Sequence, residues 1–107
     1  MNNVDQVPST NTVLTGDLRF SLAQIIFRLI EWHKLRQVDA AMQIRISNAK
    51  MSTLIKFAKD PSQTMPSLST SKMLECIALL GCDVDIVIRK PRSLNYRSPG
   101  AITVVQA

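Results

Sequence analysis

Residues Arg36–Lys56 read RQVDAAMQIRISNAKMSTLIK, and the pattern in this stretch decides the fold. A short helix is expected from Gln37 to about Gln43, with Val38, Ala41 and Met42 at positions able to face inward. A break at Ile44, Arg45 and Ile46 follows. Ser47 then stands as an N-cap, because its hydroxyl can accept from an otherwise unpaired backbone N–H at the start of a helix. The second helix runs from Asn48 to about Phe57. Met51, Leu54 and Ile55 recur at i, i+3 and i+4, which is the spacing of a buried helical stripe. Asn48, Ala49, Lys50, Thr53 and Lys56 are left facing outward, short and polar or basic. Two helices about a tight turn, with such a face on the second, fit the docking of a helix into a DNA major groove.

On the N-terminal side, Leu22, Ile25, Ile26, Leu29 and Ile30 give a further helix its apolar face. That helix is capped by Asp17 or Ser21 and reaches about Lys34, with Gln24, Arg28, Glu31 and Lys34 toward water. Trp32 is expected to anchor the core or cover the helix pair. His33 is the only histidine, so it is expected to be structural or at the surface, with no metal site. On the C-terminal side, Asp60-Pro61 and Met65-Pro66 mark a loop. Lys56 and Lys59 at its entrance would clamp phosphate or simply form a solvated basic face. Leu68 precedes Ser69, the N-cap of a helix over Thr70–Leu80, and staples onto Met73. Met73, Leu74, Ile77 and Leu80 point inward, and Gly81 stops the helix.

Asp83–Arg89 reads DVDIVIR, alternating and β-branched, which predicts a strand with Val84, Ile86 and Ile88 on one face. A lone strand cannot satisfy its own backbone groups. In a helical domain its natural partner is the same strand of a second copy, paired about a twofold axis. Lys90, Arg92 and Arg97 with Tyr96 are placed to touch DNA backbone, and the closing AITVVQA reads as a second strand or a frayed end.

The chain has 107 residues and 46% hydrophobic content with 5% aromatic, suiting one small helical domain packed with aliphatic side chains and Met. No apolar run approaches the ~20 residues needed to span a bilayer. Residues 1–16 show neither a helical nor a strand period and are expected to be a flexible tail without signal-peptide character. Cys76 and Cys82 form no metal-ligand spacing and fit a reducing, cytoplasmic setting. The net charge is +5, and its excess lies mainly between residues 21 and 60. There Arg28, Lys34, Arg36, Arg45, Lys50, Lys56 and Lys59 outnumber Glu31, Asp39 and Asp60. Such a surface attracts phosphate, though acidic protein or anionic lipid would feel it too. No glycine-rich phosphate loop, paired helical carboxylates or nucleophile–base pair is present, so neither an enzyme nor a cofactor is expected.

The central stretch resembles the XRE/Cro-type helix-turn-helix family. Gln37 matches the glutamine that opens the first helix, and Ala41 the small residue where the helices touch. Ile44 and Ile46 match the apolar pair around the turn, and Ser47, Met51, Ser52 and Leu54 follow in step. Arg36 departs from the usual threonine, Asp39 from the usual glutamate, and Arg45 from the turn glycine. Residues Leu68–Ile86, LSTSKMLECIALLGCDVDI, are similar to the ending of one subgroup that includes HigA-like antitoxins, where a terminal strand follows the last helix. The resemblance spans roughly Leu22–Arg89.

The resemblance implies an all-α bundle of four to five helices, lambda-repressor-like, with a C-terminal strand pairing across a dimer. It implies a tail over 1–16, the domain over 17–90 and a second tail over 91–107. Arg36, Gln37, Ser47, Asn48, Ala49, Lys50, Thr53 and Lys56 would contact operator DNA, and Val84, Ile86 and Ile88 would hold a homodimer. The function implied is a repressor, as the autoregulating antitoxin of a toxin–antitoxin pair or as a stand-alone or prophage regulator. Arg45 and the weak-reading Ala49 leave one alternative, a protein-interaction module that has lost DNA binding.

Overall fold

The computed structural model describes residues 12–14, 17–92, 94–95 and 97–106. Most of the 1–16 tail and Tyr96 lie outside the described residues. The elements are β1 (Thr12–Leu14), α1 (Leu18–Trp32), α2 (Gln37–Ile44), α3 (Asn48–Lys59), α4 (Thr70–Leu79) and β2 (Val104–Gln106). This is an all-α helix-turn-helix bundle of four helices with a small sheet beside it. One core unites them: Leu22, Ile26 and Leu29 of α1, Ile44 of α2, Met51 and Leu54 of α3, and Met73, Cys76 and Ile77 of α4 are all buried. Helix α1 packs on α3 and α4, and α2 packs on both of the same helices.

The helix starts follow from their caps. The Asp17 carboxylate accepts from the Arg19 N–H at 2.8 Å and the Phe20 N–H at 3.4 Å, so Asp17 rather than buried Ser21 caps α1. Ser47 Oγ accepts from the Lys50 N–H at 3.1 Å, and Ser69 Oγ from the Lys72 N–H at 3.0 Å. Each satisfies a donor that the helix itself leaves unpaired. Leu68 and Met73 are both buried, as the staple requires.

Three helices end in the same way. In α2, the Arg45 N–H donates to the Met42 carbonyl at 3.3 Å, and the Ile46 N–H to the Ala41 carbonyl at 3.0 Å. This pair of bonds is a Schellman motif, which requires a left-handed residue just past the helix. Arg45 supplies it at φ 62°, ψ 46°. Lys34 at φ 56° closes α1 with the same two bonds, from Lys34 to Glu31 and from Leu35 to Ile30. Gly81 at φ 98° closes α4 through Gly81 to Ala78 and Cys82 to Ile77. Arg45 therefore occupies the backbone conformation that glycine usually provides, and its presence does not break the turn.

Some expectations need correcting. In α2 the buried residues are Ala40, Ala41 and Ile44, whereas Val38 is 41% and Met42 74% exposed. The helix runs one residue further than expected, so the stripe that ends on Ile44 takes the residues three and four before it, Ala41 and Ala40. Trp32 is no core anchor: it is 37% exposed and sets its edge against the His33 ring, centroids 4.8 Å apart.

The strands also lie elsewhere. Thr12–Leu14 and Val104–Gln106 pair antiparallel, Val13 opposite Val105. The polar N-terminal stretch thus contains a strand, and the closing residues are one too. Val104 packs on the core, and Arg28 Nη1 donates to Gln106 Oε1 at 3.3 Å, which fastens the sheet to α1. Asp83–Arg89 belongs to no strand within the chain. Past Gly81 it leaves the core, and Ile86 and Ile88 stand 76% and 92% exposed.

A non-glycine residue in the left-handed region costs about 1 kcal/mol relative to glycine. Arg45→Gly should therefore raise the unfolding free energy by about 0.5–1 kcal/mol, read by urea titration. A loss of stability would show that the Arg45 side chain contributes more than its backbone strain costs.

Candidate nucleic-acid interface

The outward side of α3 is built by what its inward side must do. Met51, Leu54, Phe57 and Ala58 are buried, and Ile55 is half-buried. Residues at i, i+4 and i+7 share a helix face, so Ala49, Thr53 and Lys56 form a line opposite that stripe. Asn48 and Lys50 flank it in the first turn. Asn48, Ala49, Lys50 and Lys56 are exposed and Thr53 is half-exposed. Thr53 Oγ1 donates to the Ala49 carbonyl at 3.1 Å. Its hydrogen is thereby committed to the backbone.

Gln37 is exposed at the first position of α2. Arg36 precedes it without capping the helix and instead pairs with Asp39, Nε to Oδ2 at 2.8 Å. The Asp39 hydrogen bond and charge hold the Arg36 guanidinium even more firmly protonated than usual. Such an exposed pair is held weakly and can be exchanged for another anion. Of the two lysines at the end of α3, Lys56 is free to face solvent, while Lys59 sits over the Phe27 ring, 5.3 Å from its centroid.

Sequence spacing does not reveal the second half of this surface. Arg45, Ile46, Ser47 and Lys50 line a groove whose opposite wall is Ser67, Leu68, Ser69 and Lys72. The N-termini of α3 and α4 meet there. Each carries partial positive charge from aligned peptide dipoles and unpaired N–H groups. Arg45, Lys50 and Lys72 add full charges, although Lys72 also pairs with Glu75 at 2.9 Å, which holds the Glu75 carboxyl below its ordinary range. Ser69 is legible as a cap, but only the path of the loop between α3 and α4 brings it beside Ser47.

The remaining chemistry-bearing residues have structural positions. His33 Nε2–H donates to the Leu80 carbonyl at 3.0 Å, joining the ends of α1 and α4. Cys76 is buried and Cys82 half-buried; burial pushes both thiols up, and Asp83 adds to the effect at Cys82. Both therefore remain protonated and weakly nucleophilic at neutral pH. Among the described residues, no group of His, Cys, Asp or Glu is arranged to hold a metal ion. Among them too, no helix is long and apolar enough to cross a membrane.

A bundle in which the second and third helices meet at a tight left-handed turn, the third presenting a polar and basic face, defines a helix-turn-helix protein. The chain belongs to the family described as "Helix-turn-helix domain", whose model matches residues 9–89. No curated protein and no solved structure matches it. Domains of this class are typically DNA-reading modules rather than enzymes.

Proposed function

We propose that this protein is a sequence-specific DNA-binding repressor that works as a homodimer in the cytoplasm. The observation that carries the reading is the outward face of α3, which keeps Asn48, Ala49, Lys50, Thr53 and Lys56 accessible while Met51 and Leu54 hold the helix to the core. In this reading α3 enters the major groove. Asn48 bonds an adenine through N6 and N7, Ala49 packs on a thymine methyl, and Thr53 faces the neighbouring base edge. Gln37 and Ser47 hold phosphates at the groove margin. Arg36, Lys50 and Lys56 add attraction that does not depend on sequence.

The dimer reading rests on the exposure of an apolar segment. Val84, Ile86 and Ile88 are 39%, 76% and 92% exposed, and Val87 between them is 72% exposed. An exposed, β-branched segment of this kind can take up the extended form and pair with another strand. The same segment of a second copy would give an antiparallel ribbon. Two copies would then place two α3 helices on half-sites about 34–36 Å apart, or a multiple of that.

Within this function we favour an autoregulating antitoxin of the HigA-like subgroup, on the similarity of Leu68–Ile86 to that subgroup's ending. A stand-alone regulator would share the same DNA-binding surface. Co-purification of a small toxin, or a toxin-sized reading frame beside the gene, would distinguish the two.

The direct test is a gel shift on the protein's own upstream DNA against random duplex at two salt concentrations. Selective retention that weakens with salt is expected; retention of neither duplex would move the search to protein partners. Asn48→Ala should cost about 1–3 kcal/mol on the operator and relax preference at one base pair. Lys56→Ala should weaken operator and random DNA alike and flatten the salt dependence by about one unit of slope. Equal loss on both duplexes for Asn48→Ala would argue against its reading a base. For the ribbon, Ile86→Asp should convert dimer to monomer in sedimentation velocity, since a charge on each copy would be buried without a partner. A dimer of unchanged stability would place the interface elsewhere.

A further inference from the structure

Arg19 lies in the first turn of α1, outside the helix pair, yet its side chain reaches across the domain to the loop before α4. Its Nη2 donates to the Pro66 carbonyl at 3.1 Å and also to the Leu68 carbonyl. Pro66 and Leu68 are themselves buried. The Leu68 N–H also donates to Pro66 O at 2.8 Å, so residues 66–68 form a tight turn folded over the guanidinium. The very next residue is Ser69, the cap of α4. Ser67, Leu68 and Ser69 line a small cleft against Arg19 and, on their other side, the basic groove against Arg45, Ser47 and Lys50. Arg19 is thus the support behind one wall of that groove.

Two further facts set this arginine apart from a surface charge. Its Nε is buried without a hydrogen-bond partner. The ion pairs among the described residues are Arg36–Asp39 and Lys72–Glu75, and neither involves Arg19. A buried donor left unpaired costs free energy, and a cation held only by carbonyl oxygens keeps its positive field. Both are costs if the residue serves packing alone. The Nη2 bridge between the Pro66 and Leu68 carbonyls offsets them by fixing the turn that carries Ser69. A planar guanidinium presents fixed, divergent N–H donors for such a bridge, which a single ammonium matches less well.

We propose that Arg19 is a positioning residue for DNA: it holds the 66–69 turn so that the α4 N-terminus faces the α3 N-terminus, and together they seat a backbone phosphate. This rests on the DNA-binding reading above. The contact is to the phosphate chain, so it serves every sequence equally. Arg19 touches no base and leaves the choice made by α3 unchanged.

The test measures the affinity of the full chain, as Arg19→Met, Arg19→Lys and unaltered protein, for its upstream duplex and for random duplex across a salt series. The temperature is one at which thermal melts show each protein folded. Arg19→Met is expected to bind both duplexes about tenfold more weakly, with the operator-to-random ratio kept and a shallower salt slope. Arg19→Lys, which keeps the charge but loses the fork, is expected to lose about threefold on both duplexes. A purely structural role would lower the melting temperature and leave the binding curves of the folded proteins in place, which overturns the proposal. A loss confined to the upstream duplex overturns it too. Should Arg19→Met not fold, Arg19→Lys decides, because binding indistinguishable from the unaltered protein removes the role. If the unaltered protein binds neither duplex, the DNA reading itself fails and this role falls with it. Binding by the unaltered protein that Arg19 variants leave unchanged removes only the positioning role.

Discussion

Between α2 and α3 the chain turns on one residue, Arg45, held at φ 62° and ψ 46° by two backbone hydrogen bonds and by the burial of Ile44 on one side. The presentation of α3 depends on this turn. Were residue 45 in the right-handed region, α2 would simply continue and Ser47 would lose the extended geometry in which it caps α3. Met51 and Leu54 would then meet the core at a different angle. The strain is tolerated because the Ile44 and Met51 side chains, both fully buried, fix the two helices on either side of it. A local cost of about 1 kcal/mol is small against the burial of two such side chains, each worth about 1.5–3 kcal/mol.

From that turn the electrostatics follow. Ending α2 at Ile44 exposes the start of α3, and the route of the α3–α4 loop brings the start of α4 alongside. Two capped N-termini and three cations consequently share one groove. None of the cations is deeply buried, so each interaction is modest and sensitive to salt. Their common placement beside the outward face of α3 joins a sequence-independent attraction to a surface of short side chains able to approach base edges.

Much of this could be read in the residues themselves because helical periodicity and capping are local. Ser47 and Ser69 act as the caps their positions imply, and the aliphatic stripes of α1, α3 and α4 are buried largely as spaced. Properties set by distant packing were not legible. The short, Ala-rich α2 has too little periodicity to choose between Val38–Met42 and Ala40–Ile44, and contacts with α3 and α4 decide it. Thr12–Leu14 carries no pattern of its own; it becomes a strand only because Val104–Gln106 is fastened to α1 beside it. The Arg19 bridge spans 47 and 49 residues, and nothing in the spacing of either partner announces it.

The most direct measurement is an amide chemical-shift titration of the labelled protein with its own upstream duplex. Perturbations should concentrate at Gln37, at Ser47–Thr53 and around Ser69–Lys72, with little change along Asp83–Arg89. Shifts confined to the exposed Asp83–Arg89 segment, or no shifts at all, would contradict the reading of α3 as a DNA-facing helix.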